Sequence, residues 1–423
     1  MSCARPALAV LVASVAFGCR GGPEAAAVIE LWALGREGEV VERMVPEFER
    51  LHPGVRVRVQ QVPWSAAHEM LLTAYVGEAM PDVFQVGNTW VPEFVALGAL
   101  EPLGERIAGS SVPLDDYFAG IVDTNVIDGS IWALPWYADT RLLFYRDDLL
   151  AEVGFDGPPR TWASWLEAMT RLRARTGGSG YGILLPLNEW QPLVILALQL
   201  DADLLREDGR FGNFRSPEFR RAFALYLDLF RRDLAPRAGD AQVANLYQDF
   251  ARGFFAFTIT GPWNLGEFAR RLPAERRDDW STAPMPAPGD DYPGVSVAGG
   301  ASLALFRGST RKDAAWALME YLSEPAQLME LNRLTGDLPA RKSAWKDYRL
   351  SRDARAAAFW TQLQHVRPTP KVPEWERIAA RILQHAESAV RSRKSPEEAL
   401  ARLDDDVDDV LAKRRWMLRE AQP

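Results

Sequence analysis

Between Ile29 and Val86 the spacing of apolar residues alternates between two periods, and that rhythm limits the possible folds more than any other feature. Ile29-Glu-Leu-Trp32 reads as a short strand. Val41, Met44, Val45 and Phe48 then follow helical spacing, with Pro46 set either to kink that helix or to stand near its start. Val55, Val57 and Val59 alternate with Arg56, Arg58 and Gln60, as the residues of a half-buried strand do. Residues 66–79 return to helix and Asp82–Val86 to strand. Strand, helix, strand, helix, strand in that order argues a parallel sheet with right-handed crossovers. A second α/β region follows, with strands at Leu142–Tyr145, Tyr181–Leu185, Phe254–Thr260 and Ser302–Phe306. Helices are expected at Trp162–Leu172, Arg220–Phe230 and Asp313–Leu322, and a mostly helical tail from residue 354. A chain of 423 residues is too long for a single core, so two domains are expected.

Both cysteines, Cys3 and Cys19, precede this body. Arg5 followed by a small, apolar run to Gly18 describes a secretory signal peptide over residues 1–18. Residues 19–27 read as a tether, and Gly18-Cys19 is similar to a bacterial lipoprotein processing site, which makes Cys19 the expected lipid anchor. A body without cysteine owes nothing to disulfides or thiolate-bound metal. The formal charge of −8 argues against a general nucleic-acid binder. Only four histidines occur, none beside a nucleophile motif and no two at zinc-ligand spacing. No Walker loop and no G-x-G-x-x-G is present. The acidic run Asp404–Asp409 lies on a helix whose apolar stripe is Leu400, Leu403, Val407 and Leu411. It is read as a solvated face rather than a calcium loop.

Polar and aromatic residues collect just after strands, where an α/β sheet presents its ligand-facing edge. The clusters are Trp32 with Gly35-Arg-Glu-Gly38, then Trp64, then Gly87-Asn-Thr-Trp90. Further on come Pro135-Trp-Tyr-Ala-Asp-Thr-Arg141, Glu189-Trp-Gln191, Gly261-Pro-Trp-Asn264 and Gly299-Gly-Ala-Ser302. Among 15 tryptophans, Trp136 and Trp263 stand in Pro-flanked turns with polar neighbours. Trp32, Trp64 and Trp90 fit either core or cleft, and the remaining tryptophans apart from Trp190 read as packing or surface. Indole faces suit the C–H face of a pyranose, while Asp, Asn, Glu and Arg suit its hydroxyls. Two plainer readings stay open: Asp139 and Arg141 as a mutual clasp at a hinge, and Gly299-Gly300 as a tight turn.

At these motifs the chain resembles the family 1 extracellular solute-binding proteins of ABC importers, particularly the sugar-binding ones related to maltose-binding protein. Its marks are Pro81-Asp-Val-Phe-Gln, Leu134-Pro-Trp-Tyr-Ala-Asp-Thr-Arg-Leu-Leu-Phe-Tyr145, Gly261-Pro-Trp-Asn264, Gly299-Gly-Ala-Ser302 and Thr335-Gly-Asp-Leu-Pro-Ala-Arg-Lys342. The resemblance implies a type II periplasmic binding fold, α/β in two lobes with a hinge and an interlobe cleft. It places lobe one at 28–136 plus 284–336 and lobe two at 137–283 plus 337–423, with crossings near Trp136, Pro284 and Gly336. It maps hydroxyl-binding roles to Arg36, Glu37, Asn88, Asp139 and Arg341, a stacking platform to Trp263, and a close backbone approach to Gly299 and Gly300. Trp64, Trp90, Trp136, Tyr137, Arg141 and Asn264 complete the expected site.

The expected function is capture of a mono- or oligosaccharide for an ABC permease, by a monomer with no cofactor, no metal, no nucleic acid, and membrane contact only through the anchor. A secreted glycoside hydrolase or lyase stays open, because the carboxylate spacing that matters there is spatial. So does a non-sugar ligand. A polyamine would call for more carboxylates in the cleft, whereas Arg36, Arg141 and Arg341 lean toward a neutral or acidic ligand.

Overall fold

The computed structural model describes residues 26–238, 245–346 and 348–420. The expected signal peptide, Cys3 and Cys19 lie outside them. The chain opens with β1 (Ala27–Leu34), α1 (Gly35–Leu51), β2 (Val55–Val62), α2 (Trp64–Val76), β3 (Val83–Gly87) and α3 (Val91–Ala96). β1 pairs in parallel with both β2 and β3, as the rhythm of residues 29–86 requires. Pro46 lies inside α1. The helix turns Val40, Val41, Met44, Val45 and Phe48 onto the sheet, and all five are buried.

The first sheet is then extended by distant, antiparallel segments. β4 (Ala133–Asp139) comes next in the chain, followed by the strands of a second sheet: β5 (Leu142–Arg146), β6 (Tyr181–Leu184), β7 (Phe255–Thr260) and, after α4 (Trp263–Arg271), β8 (Trp280–Ala283). β9 (Gly299–Leu305) and β10 (Leu338–Pro339) return to the first. Its order is β10-β4-β9-β3-β1-β2, and the second sheet runs β8-β5-β7-β6. The first sheet is therefore mixed rather than purely parallel.

Trp136 sits within β4, so the chain leaves the first sheet after Asp139 rather than at Trp136. It returns between Ala283 and Gly299. Because Leu338 and Pro339 pair with β4, the last departure comes beyond them and not at Gly336. Two helices, α5 (Trp375–Val390) and α6 (Pro396–Val410), then pack into the apolar core around the second sheet. Asp404 is not solvated. It is buried, accepts hydrogen bonds from the Phe214 amide and the Arg215 guanidinium, and thereby anchors the Phe211–Phe214 segment to α6. Among the described residues no helix is long and apolar enough to cross a membrane, and no cluster of metal-ligating side chains occurs.

Candidate ligand-binding site

A cavity of about 600 Å³ opens between the two sheets, within the size range of small-molecule sites. From the first sheet's side, the opening turn of α1 supplies Arg36 and Glu37, and the turn after β3 supplies Asn88, Thr89 and Trp90. β4 contributes Tyr137 and Asp139, and β9 contributes Gly299 and Gly300. Facing them are Trp190 and Gln191, then Trp263 and Glu267 of α4, then Glu376 of α5. Arg141 lines the wall from the segment that joins the sheets.

The apolar surfaces are indoles. Trp64 and Trp263 remain 37% and 39% exposed, which is unusual for so large an apolar side chain and marks surface kept free for contact. Trp64 stands edge-on to Trp90, with centroids 5.6 Å apart. His68 packs against Trp90 at 5.1 Å and bonds Glu93 at 2.6 Å, which fixes that ring from behind. Glu93 in turn raises the His68 pKa. At Gly35, φ is +52° and a Cβ would fall 2.5 Å from Trp64 Cδ1, so only glycine allows this packing. On the far wall, the guanidinium of Arg141 stands 4.3 Å from the Trp263 ring centroid and donates to Asp139 at 2.6 Å.

The polar wall is acidic. Glu37 is buried, and its carboxyl is raised by that burial, opposed by hydrogen bonds from Tyr137, Trp64 and Gln85. Burial likewise pushes the Asp139 carboxyl up, while Arg141 pulls it back. Asp337 directly precedes β10, whose Leu338 pairs with Ala138 beside Asp139, and both carboxylates line the cavity. Like charges facing each other on adjacent strands repel. Burial first, then the neighbouring Glu37 and Asp139, push the Asp337 carboxyl up to about 7. Asn88 commits its side chain to the sheet: its amide donates to the Gly299 carbonyl and its oxygen accepts from Ser302. Thr89 donates to Glu376 at 2.6 Å, a bond that spans the cavity from wall to wall.

Of the expected residues, Arg36, Glu37, Trp64, Asn88, Trp90, Tyr137, Asp139, Arg141, Trp263, Gly299 and Gly300 line the cavity. Gly299 and Gly300 lie in β9 rather than in a free turn, and at Gly300 a Cβ would meet the Tyr137 carbonyl at 2.2 Å. Three do not line it. Trp136 points into the core with no exposure, because strand alternation gives the cavity to Tyr137 and Asp139. Asn264 turns away from the cavity toward β7, donating to Thr260 and accepting from Tyr247. Arg341 pairs with Asp116 at 2.8 Å and donates to the Ser323 carbonyl, outside the cavity. Removing Arg341 would leave Asp116 without its cation. Arg341→Ala is therefore expected to cost about 2–3 kcal/mol of stability while leaving ligand affinity unchanged. Denaturant unfolding and titration of the same variant separate the two effects.

Reading the sequence alone left out Asp337, Glu267 and Glu376, which line the cavity. Asp337 stands in the Thr335–Lys342 motif, where no local mark separates it from Arg341. Glu376 lies in a helical tail with no local mark of function. With Arg341 removed from the cavity, two guanidiniums face five carboxylates there.

A cavity between two α/β halves, walled by indoles and buried polar groups, defines a two-lobed binding protein. The chain belongs to the bacterial extracellular solute-binding proteins, whose family model matches residues 32–329. Its fold is similar to that of the sugar-binding protein MalE from the phytopathogen Xanthomonas citri. That match has a TM-score of 0.90 and 44% identity, over 94% of this chain and all of the other. It is also similar to the diacetylchitobiose-binding protein DasA of Streptomyces coelicolor, at 24% identity over 85% of this chain and 84% of that one. A maltotriose-binding protein of Pyrococcus abyssi matches at 24% identity over 80% of this chain and 71% of its own length. These are binding proteins, and this chain is a solute-binding protein rather than an enzyme.

Proposed function

We propose that this protein captures a saccharide between its lobes and delivers it to the permease of an ABC importer. The observation that carries the reading is the pair of partly exposed indoles, Trp64 and Trp263, on a cavity whose charged lining is five carboxylates and two guanidiniums. A sugar ring has an apolar face for the former and hydroxyls for the latter. The names of the similar proteins support a saccharide. In this reading one lobe comprises residues 26–139 and 299–346, and the other 142–238, 245–283 and 354–420. Ligand favours the closed form through contacts that only both lobes together can make, and the permease responds to that form. The binding set is the lining residues above, with Asn88 acting mainly to hold β9 in place. The protein works as a monomer outside the cytoplasmic membrane, held there by lipid on Cys19.

The test is a thermal-shift panel of maltose, maltotriose and diacetylchitobiose, with spermidine and glycerophosphocholine as non-sugar arms. A saccharide at a hundred times its Kd adds about 2.7 kcal/mol of stability and raises the melting temperature. A response to a non-sugar arm alone sinks the carbohydrate reading.

A further inference from the structure

Arg141 was expected to bind ligand, yet in this structure it occupies the surface a ligand would use. Its guanidinium stands over the Trp263 ring at 4.3 Å and donates to Asp139 Oδ2 at 2.6 Å. A flat group on the indole with donors toward the carboxylate is what a sugar ring with its hydroxyls would present to the same two residues. The contact is also incomplete. Arg141 Nε and Asp139 Oδ1 are both shut off from solvent with no hydrogen-bond partner. Leaving such groups unpaired is costly, so this arrangement is held less tightly than a fully satisfied ion pair would be.

We propose that Arg141 is an internal stand-in for the ligand at the Trp263 platform, displaced when a sugar ring takes its place. The ring's C–H face replaces the guanidinium on the indole, and a hydroxyl takes over the donation to Asp139 Oδ2. Arg141 thereby sets specificity. A ligand that offers only an apolar face, or only a donor, replaces half of what Arg141 provides and fails to displace it. This rests on the carbohydrate reading above.

The experiment compares wild type with Arg141→Lys by calorimetric titration, using whichever saccharide of the panel gives the largest thermal shift. Lysine keeps a charge beside Asp139 but loses the planar group that stacks on the indole. The variant is expected to bind about three- to tenfold tighter, the range set by one cation–π contact. Unchanged or weaker binding by a folded variant overturns the proposal while leaving the carbohydrate reading intact. Silence from every saccharide with wild type sinks both. Tryptophan emission gives a second readout. Saturating sugar should shift the wild-type spectrum toward that of free Arg141→Lys, and an equal sugar-induced shift in the variant would count against displacement.

Discussion

Trp263→Ala is expected to weaken saccharide binding by about tenfold or more, a loss of at least about 1.4 kcal/mol. The residue opens α4, and 39% of its surface is free, so its removal takes little from the core. Alanine is also the best helix former, so α4 should persist. Trp263→Phe should lose much less, because a smaller aromatic face remains. Calorimetry measures the affinities and circular dichroism checks the fold. Unchanged affinity in Trp263→Ala would remove this indole from the site.

The second large effect is on pH dependence. The Asp337 carboxyl sits at about 7 in the folded protein, against a usual value of 3.8. Between those values the folded chain holds a proton that the unfolded chain has lost. The Asp337 contribution to stability is therefore fully present below about pH 4 and falls as pH rises toward 7, by at most about 1.4 kcal/mol per unit. Asp337→Asn keeps the shape and discards the charge. It should melt with wild type near pH 4 and above it at pH 8, flattening the profile. Parallel profiles would mean that Asp337 is not the proton-holding group.

How far the sequence could be read depends on where the information lies. The Val55–Val59 alternation and the α1 stripe are local patterns, and both elements form where expected. The antiparallel placement of β9 between β3 and β4 depends on pairing with β3 more than two hundred residues away, and with β4 at least 160 residues away, and leaves no local mark. Within the site, Trp136 and Tyr137 illustrate the limit. Both lie in one motif, but only strand register decides which faces the cavity. Arg341 and Asp337 are similar neighbours, and the pairing of Leu338 with Ala138 beside Asp139, together with the Asp116 partner of Arg341, separates their roles.

The position of β9 also has a consequence for how the chain is made. It is an interior strand, hydrogen-bonded on both sides, yet it is supplied by residues 299–305. Until that stretch has emerged from the ribosome, β3 and β4 have no partner between them, and the first sheet stays open in its middle. A growing chain therefore stays without its finished fold for most of its synthesis. That delay, a liability for a protein folding where it is made, suits an exported protein of the kind proposed above.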